Sequence, residues 1–192
     1  MDAINIMNRK IKIAAICGST KKNSLNLSLI KAIAELTRNG FEFKIISDID
    51  QIPHFNPDLD NDSPPEAVLK FRSQLRDADA ILICTPEYAM GVPGTLKNAI
   101  DWTVSSCEFS RKPTALITAS SQGQKGHAAL LGTLKIIEAN IPKETQLLIS
   151  FIKTKIGLDG FIKDDETKNQ VLKVMHALRS LYLTKAEQIM NK

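Results

Sequence analysis

"IKIAAICGSTKKNSLNLSLIKAIAEL", residues 11–36, decides the fold of this chain. Ile11 to Cys17 is a short, isoleucine-rich apolar run that stops at Gly18, which predicts a buried strand. From Asn23 the period changes. Leu25, Leu29, Ile33 and Leu36 recur at helical spacing, so they are expected on one helix face. Between strand and helix lies a turn of small hydroxyl and amide residues carrying Lys21 and Lys22. Gly40 follows Asn39 as the expected end of that helix, and "FEFKIIS", residues 41–47, predicts a second strand.

The alternation continues along the chain. "SPPE", residues 63–66, predicts a helix start with Ser63 as cap, Pro64 at the first helical position and Glu66 closing a capping box. "AILICTP", residues 80–86, is the clearest buried strand, and a helix is expected from near Gly94. "KPTALITAS" and "TQLLISF" predict two more strands, separated by the helix "HAALLGTLKIIEAN". A closing helix follows, with acids in its first turn and an apolar stripe of Leu172, Met175, Leu178 and Tyr182. Continuous apolar strands alternating with helices signify an α/β fold, a parallel sheet covered on both faces. Residues 1–10 read as a loose tail and residues 11–192 as a single domain.

Composition narrows the function classes. No stretch approaches the roughly 20 apolar residues that cross a membrane. The first ten residues lack the order of a secretory signal. Three cysteines cannot all pair, and Cys17 and Cys84 sit in apolar runs, which suits a reducing cytoplasm. The net charge of +4 is spread without a dense run, which favours phosphorylated small molecules over nucleic acid.

In a doubly wound sheet, ligands bind beyond the carboxyl ends of the strands. The turn after the first strand leaves backbone amides free beside a partly positive helix end, an anion site. Ser19, Thr20, Ser24 and Asn26 add neutral donors, and Lys21 adds charge. No Gly-Lys-Ser/Thr closes the turn and no spaced glycines follow Gly18, so neither a P-loop nor a dinucleotide fingerprint is present. A terminal phosphate monoester fits. The third strand runs into "TPEYAMGVPGTLKN", whose prolines and glycines make a rigid shelf bearing Tyr88. The fourth runs into "ASSQGQKGH", with Ser120 and a turn at Gly123. A phosphorylated planar heterocycle fits all three loops, and flavin mononucleotide (FMN) is the economical choice.

"GSTKKNSLN" together with "PEYAMGVPGTLKNAIDW" resembles the NADPH-dependent FMN reductase family. The likeness extends to "DIDQIPHFNPDLD" and the glycine turn, over about residues 11–151. It implies a flavodoxin-like three-layer sandwich with five parallel strands in the order 2-1-3-4-5. It implies FMN as cofactor and NADPH or NADH as donor, with a quinone, flavin or similar small molecule as acceptor. By position, Ser19, Lys21, Ser24 and Asn26 would hold the phosphate. Pro86, Glu87 and Tyr88 would border the ring with Ala89 beside them, and Ser120 and Gly123 would lie near its far edge. Homodimers or homotetramers are implied, with the "LKNAIDW" helix at a contact. Two positions depart from the family pattern. Lys21 replaces Arg, losing the planar fork, and Ala89 replaces Asn.

Such a reaction is a ping-pong hydride transfer whose difficult chemistry belongs to the cofactor, so no side chain is named as catalytic. Glu87 and Asp101 read as a loop residue and a helix-surface residue rather than an acid/base pair. His54, His127 and His176 have no ligand-like partners in sequence. Ser19 lacks a nucleophile elbow, and Cys107 lacks an activating pattern. The rivals are a flavodoxin-type carrier, usually acidic, and a non-enzymatic flavin- or nucleotide-binding regulator.

Overall fold

A computed structural model describes residues 9–190, with side chains to residue 188. The expected tail lies mostly outside the described residues. Its last part, Arg9, pairs with Asp79 and donates to the Tyr182 hydroxyl at 2.6 Å.

The elements are β1 (Ile11–Cys17), α1 (Leu25–Leu36), β2 (Phe41–Ile46), α2 (Glu66–Arg76), β3 (Ala80–Thr85), α3 (Gly94–Asp101), β4 (Thr114–Ala119), α4 (Gln124–Ile136), β5 (Gln146–Ile149) and α5 (Asp165–Met190). The five strands form one sheet ordered β2-β1-β3-β4-β5, and every pairing is parallel. This is the expected order.

Strand alternation explains the layers. Ile13, Ala15 and Cys17 of β1, with Leu82 and Cys84 of β3, face the layer of α1 and α5. Ala14 and Ile16, with Ile81 and Ile83, face the layer of α2, α3 and α4. Both faces of the central strands are covered, and all six residues of β3 are buried, as are all six of β4.

Several details differ from the sequence reading. Ser63 does not cap α2. Pro65 occupies the cap position without a side-chain cap, and the helix starts at Glu66. A residue before proline is kept out of the helical region, so Pro65 excludes Pro64 from the helix and leaves Ser63 two residues ahead of the cap position. Leu172 and Leu36 are exposed, and Val171 and Val174 join Met175, Leu178 and Tyr182 in the stripe of α5. Helix α4 starts three residues before His127, because Gly123 turns at φ 101°. In α3, Leu96, Ala99 and Ile100 are buried within the chain itself, as is Trp102 just after it.

The long loop after β2 is fixed by a buried ion pair. Arg72 and Asp60, with side chains 6% and 10% exposed, meet at 2.7 Å. Arg72 also donates to the Trp102 carbonyl, and Ser105 donates to Asp60 at 2.6 Å. Trp102 donates its indole N–H to the Pro53 carbonyl and meets the Phe55 ring edge-on. Removing one member strands the other's charge. Asp60→Ala is expected to destabilise the fold by about 3 kcal/mol, read as a shift in urea midpoint. A loss below about 0.5 kcal/mol would mean that the loop is held by other contacts.

Candidate functional site

The register of the sheet brings three loops to one rim. Cys17 lies opposite Cys84, and Thr85 opposite Thr118, so β1, β3 and β4 end nearly level. Gly18 is required at the first exit: a Cβ there would lie 2.4 Å from Thr85 Oγ1 and 2.9 Å from Leu96 Cδ2. Its amide donates to the Cys84 carbonyl at 2.8 Å, which pins the turn to β3.

Ser24 caps α1, accepting from the Leu27 amide, and Ser19 accepts from the Lys21 amide, both at 3.4 Å. Both serines are buried, although they stand at a rim. The amides of the first helical turn have no acceptor within the helix. Lys21, Lys22 and Asn23 are exposed around them.

A cavity of 360 Å³ opens above this turn, within the range of roughly 300–1,000 Å³ typical of ligand pockets. Seven of the ten expected site residues line it: Ser19, Lys21, Ser24, Asn26, Pro86, Tyr88 and Ser120. Glu87, Ala89 and Gly123 are not among its lining residues.

Those three have supporting roles. The Glu87 carboxylate accepts the Gly126 amide at 2.7 Å, tying the second loop to the third. Gly126 packs so closely that a Cβ would lie 2.6 Å from the Gly91 carbonyl oxygen. Ala89 forms, with Met90, the two-residue tip of a tight turn closed by paired bonds between Tyr88 and Gly91. Both tip residues have positive φ, 49° and 64°. Asn suits that conformation and Ala does not, so the Ala89 departure costs backbone strain. Gly123 supplies the left-handed entry to α4.

Asn26, which lines the cavity, is also engaged by two strands. It is 4% exposed. Its Nδ2 donates to the Ala119 carbonyl at 3.2 Å and its Oδ1 accepts the Cys84 thiol at 3.3 Å. The amide therefore braces α1 against β3 and β4. Burial raises the pKa of Cys84 well above the ordinary thiol value, and burial likewise raises that of Cys17. Both stay protonated and serve as weak donors, Cys17 to the Ser19 carbonyl. His127 stands behind the third loop, its Nδ1 2.9 Å from Thr118 Oγ1, and burial lowers its pKa.

The sequence reading missed a fourth wall. Phe151, Ile152, Lys153 and Thr154 also line the cavity. They follow β5, where no glycine or motif marked a site.

The donor set can be tested against FMN. Neutral hydroxyls, first-turn amides and one lysine at one end suit a phosphate monoester. Buried Pro86 and the Tyr88 ring beside it suit a planar ring. The residues fit.

Comparison with known proteins agrees. The model of the family described as NADPH-dependent FMN reductase matches residues 11–154. An NAD(P)H-dependent FMN reductase of Pseudomonas aeruginosa is 34% identical over 179 residues, covering 90% of this chain and 96% of that protein. A 2-hydroxy-1,4-benzoquinone reductase of a Burkholderia species is 33% identical, covering 82% and 88%. Among solved structures, FerB, a flavoenzyme NAD(P)H:(acceptor) oxidoreductase from Paracoccus denitrificans, superposes with a TM-score of 0.80 at 29% identity, covering 91% and 98%.

Two outcomes are expected from this geometry. Asn26→Ala should weaken FMN and riboflavin binding by the same factor and lower the melting temperature of the cofactor-free protein. A loss confined to FMN would make Asn26 a phosphate ligand instead. Ala89→Asn should raise stability by about 0.5–1 kcal/mol by relieving the turn, read by thermal melting. A lower melting point would contradict the strain assigned there.

Proposed function

The chain belongs to the NADPH-dependent FMN reductase family, and on that footing we propose how its rim works. The protein is an FMN-dependent NAD(P)H oxidoreductase. In our reading, residues 11–192 act as a single FMN-binding domain. The FMN phosphate is held by the first-turn amides of α1, by Ser19 and Ser24, and by Lys21. Pro86 and Tyr88 border the ring on one side, and Ser120 borders it on the other. Asn26, Glu87 and Gly123 hold the loops in place.

Bound there, FMN supplies a ring that accepts a hydride from NAD(P)H and passes two electrons to a second molecule. The chain's own part is binding, orientation and exclusion of water. Pro86 is buried and fixes the shelf, while Tyr88 stays exposed to meet an incoming ring. With FMN bound, the backbone of Ser121, which lines the cavity, would stand where negative charge develops on the ring. No side-chain acid or base is required.

One observation carries this reading: two buried serine hydroxyls and the first-turn amides of α1 stand at one end of a cavity that Pro86 and Tyr88 also line. A small planar acceptor such as a quinone fits the same opening. Three unpaired thiols, two of them buried, support a cytoplasmic protein. The exposed apolar side chains of Phe55, Leu59 and Val104 support a homodimer or homotetramer. Among the described residues no helix is long and apolar enough to cross a membrane.

Anaerobic mixing with FMN and NADPH tests the reading. Rapid bleaching of the flavin absorbance is expected. Bound flavin that NADPH leaves oxidised would indicate an electron carrier, and no flavin binding would indicate a regulator.

A further inference from the structure

Phe151 combines three features that its own protomer leaves without purpose. It stands two residues beyond β5, at the mouth of the cavity, and lines it. Its side chain is 65% exposed. Its backbone is left-handed, with φ 55° and ψ 41°, an outlier for a bulky aromatic.

The conformation is held firmly. The Phe151 amide donates to the Ser121 carbonyl, and the Ile152 amide to the Ser120 carbonyl, both at 3.1 Å. The Thr154 amide and hydroxyl both donate to the Phe151 carbonyl, at 2.8 and 2.9 Å. Ser150 donates to the Gln122 carbonyl at 2.9 Å. These bonds stitch the exit of β5 to the exit of β4. They fix an apolar ring at the water-facing mouth of a polar-ended cavity.

Tyr88, 54% exposed, is the other aromatic on the same lining. Neither ring contacts another aromatic among the described residues. Backbone strain kept in place by surrounding bonds is a mark of a functional position. An exposed aromatic at a pocket mouth presents a flat face and little conformational entropy to an incoming ring.

We propose that Phe151 selects the electron acceptor: its ring is the apolar platform for a planar aromatic acceptor such as a quinone. This rests on the oxidoreductase reading above. Phe151 thereby sets acceptor affinity, and it contributes nothing to holding FMN. An acceptor without a flat apolar face gains nothing from it.

The test uses the FMN-loaded protein and two acceptors, 1,4-naphthoquinone and ferricyanide, with NADPH as donor. Phe151→Ala is expected to raise KM for the quinone about tenfold with kcat within about twofold, the pattern of lost uniform binding. Ferricyanide kinetics and the FMN dissociation constant should stay at wild-type values. Phe151→Trp should keep the low quinone KM. Phe151→Gly should lose it without lowering the melting temperature, because glycine accepts the left-handed backbone.

Equal changes with both acceptors would overturn the proposal. So would a weakened FMN complex, or Phe151→Trp behaving like Phe151→Ala. A change of oligomeric state in Phe151→Ala would reassign the ring to a subunit contact. If wild-type protein binds no FMN, the oxidoreductase reading fails first and the proposal fails with it, an outcome read before any acceptor is added.

Discussion

Parallel pairing of β1, β3 and β4 is the constraint on which the rest of this molecule depends. It ends three strands nearly level and gives their following loops one shared rim. Parallel strands need crossover helices, so each of these loops leads into a helix start. A helix start offers unpaired amides. The chemistry of the rim therefore follows from the topology, and side chains refine it.

That refinement is mostly bracing. Asn26 spans α1, β3 and β4 with one amide group. Glu87 joins the second loop to the third. Gly18 and Gly126 allow backbones to approach where a methyl group would collide. The ends of β4 and β5 are stitched by bonds from Phe151 and Ile152. Such a rim presents its donors in fixed positions, and little ordering remains to be done when a ligand arrives.

The sequence carried the fold because the fold rests on local signals. Five apolar runs, each followed by a turn and a helical period, leave few topologies open. The phosphate turn was legible for the same reason: Gly18, Ser19 and Ser24 lie within seven residues of one another. Contacts between distant segments were not legible. Asn26 reads as one more polar residue in a polar turn until Cys84 and Ala119 are placed against it. Glu87 reads as a ring neighbour until Gly126 accounts for its carboxylate. Phe151 carries no pattern at all, since its interest lies in exposure and a backbone angle. The cap at Ser63 failed through local chemistry, because Pro65 keeps Pro64 out of the helical conformation and moves the helix start to Glu66.

The central claim is that one rim, made by the exits of β1, β3 and β4, receives FMN with its phosphate over the first turn of α1. Amide chemical-shift mapping on isotope-labelled protein tests this most directly. Titration with FMN should move the amides of residues 19–26, 86–91 and 120–123, and inorganic phosphate should move only the first group. Shifts confined to the opposite side of the molecule, around Gly40 and His176, would contradict it.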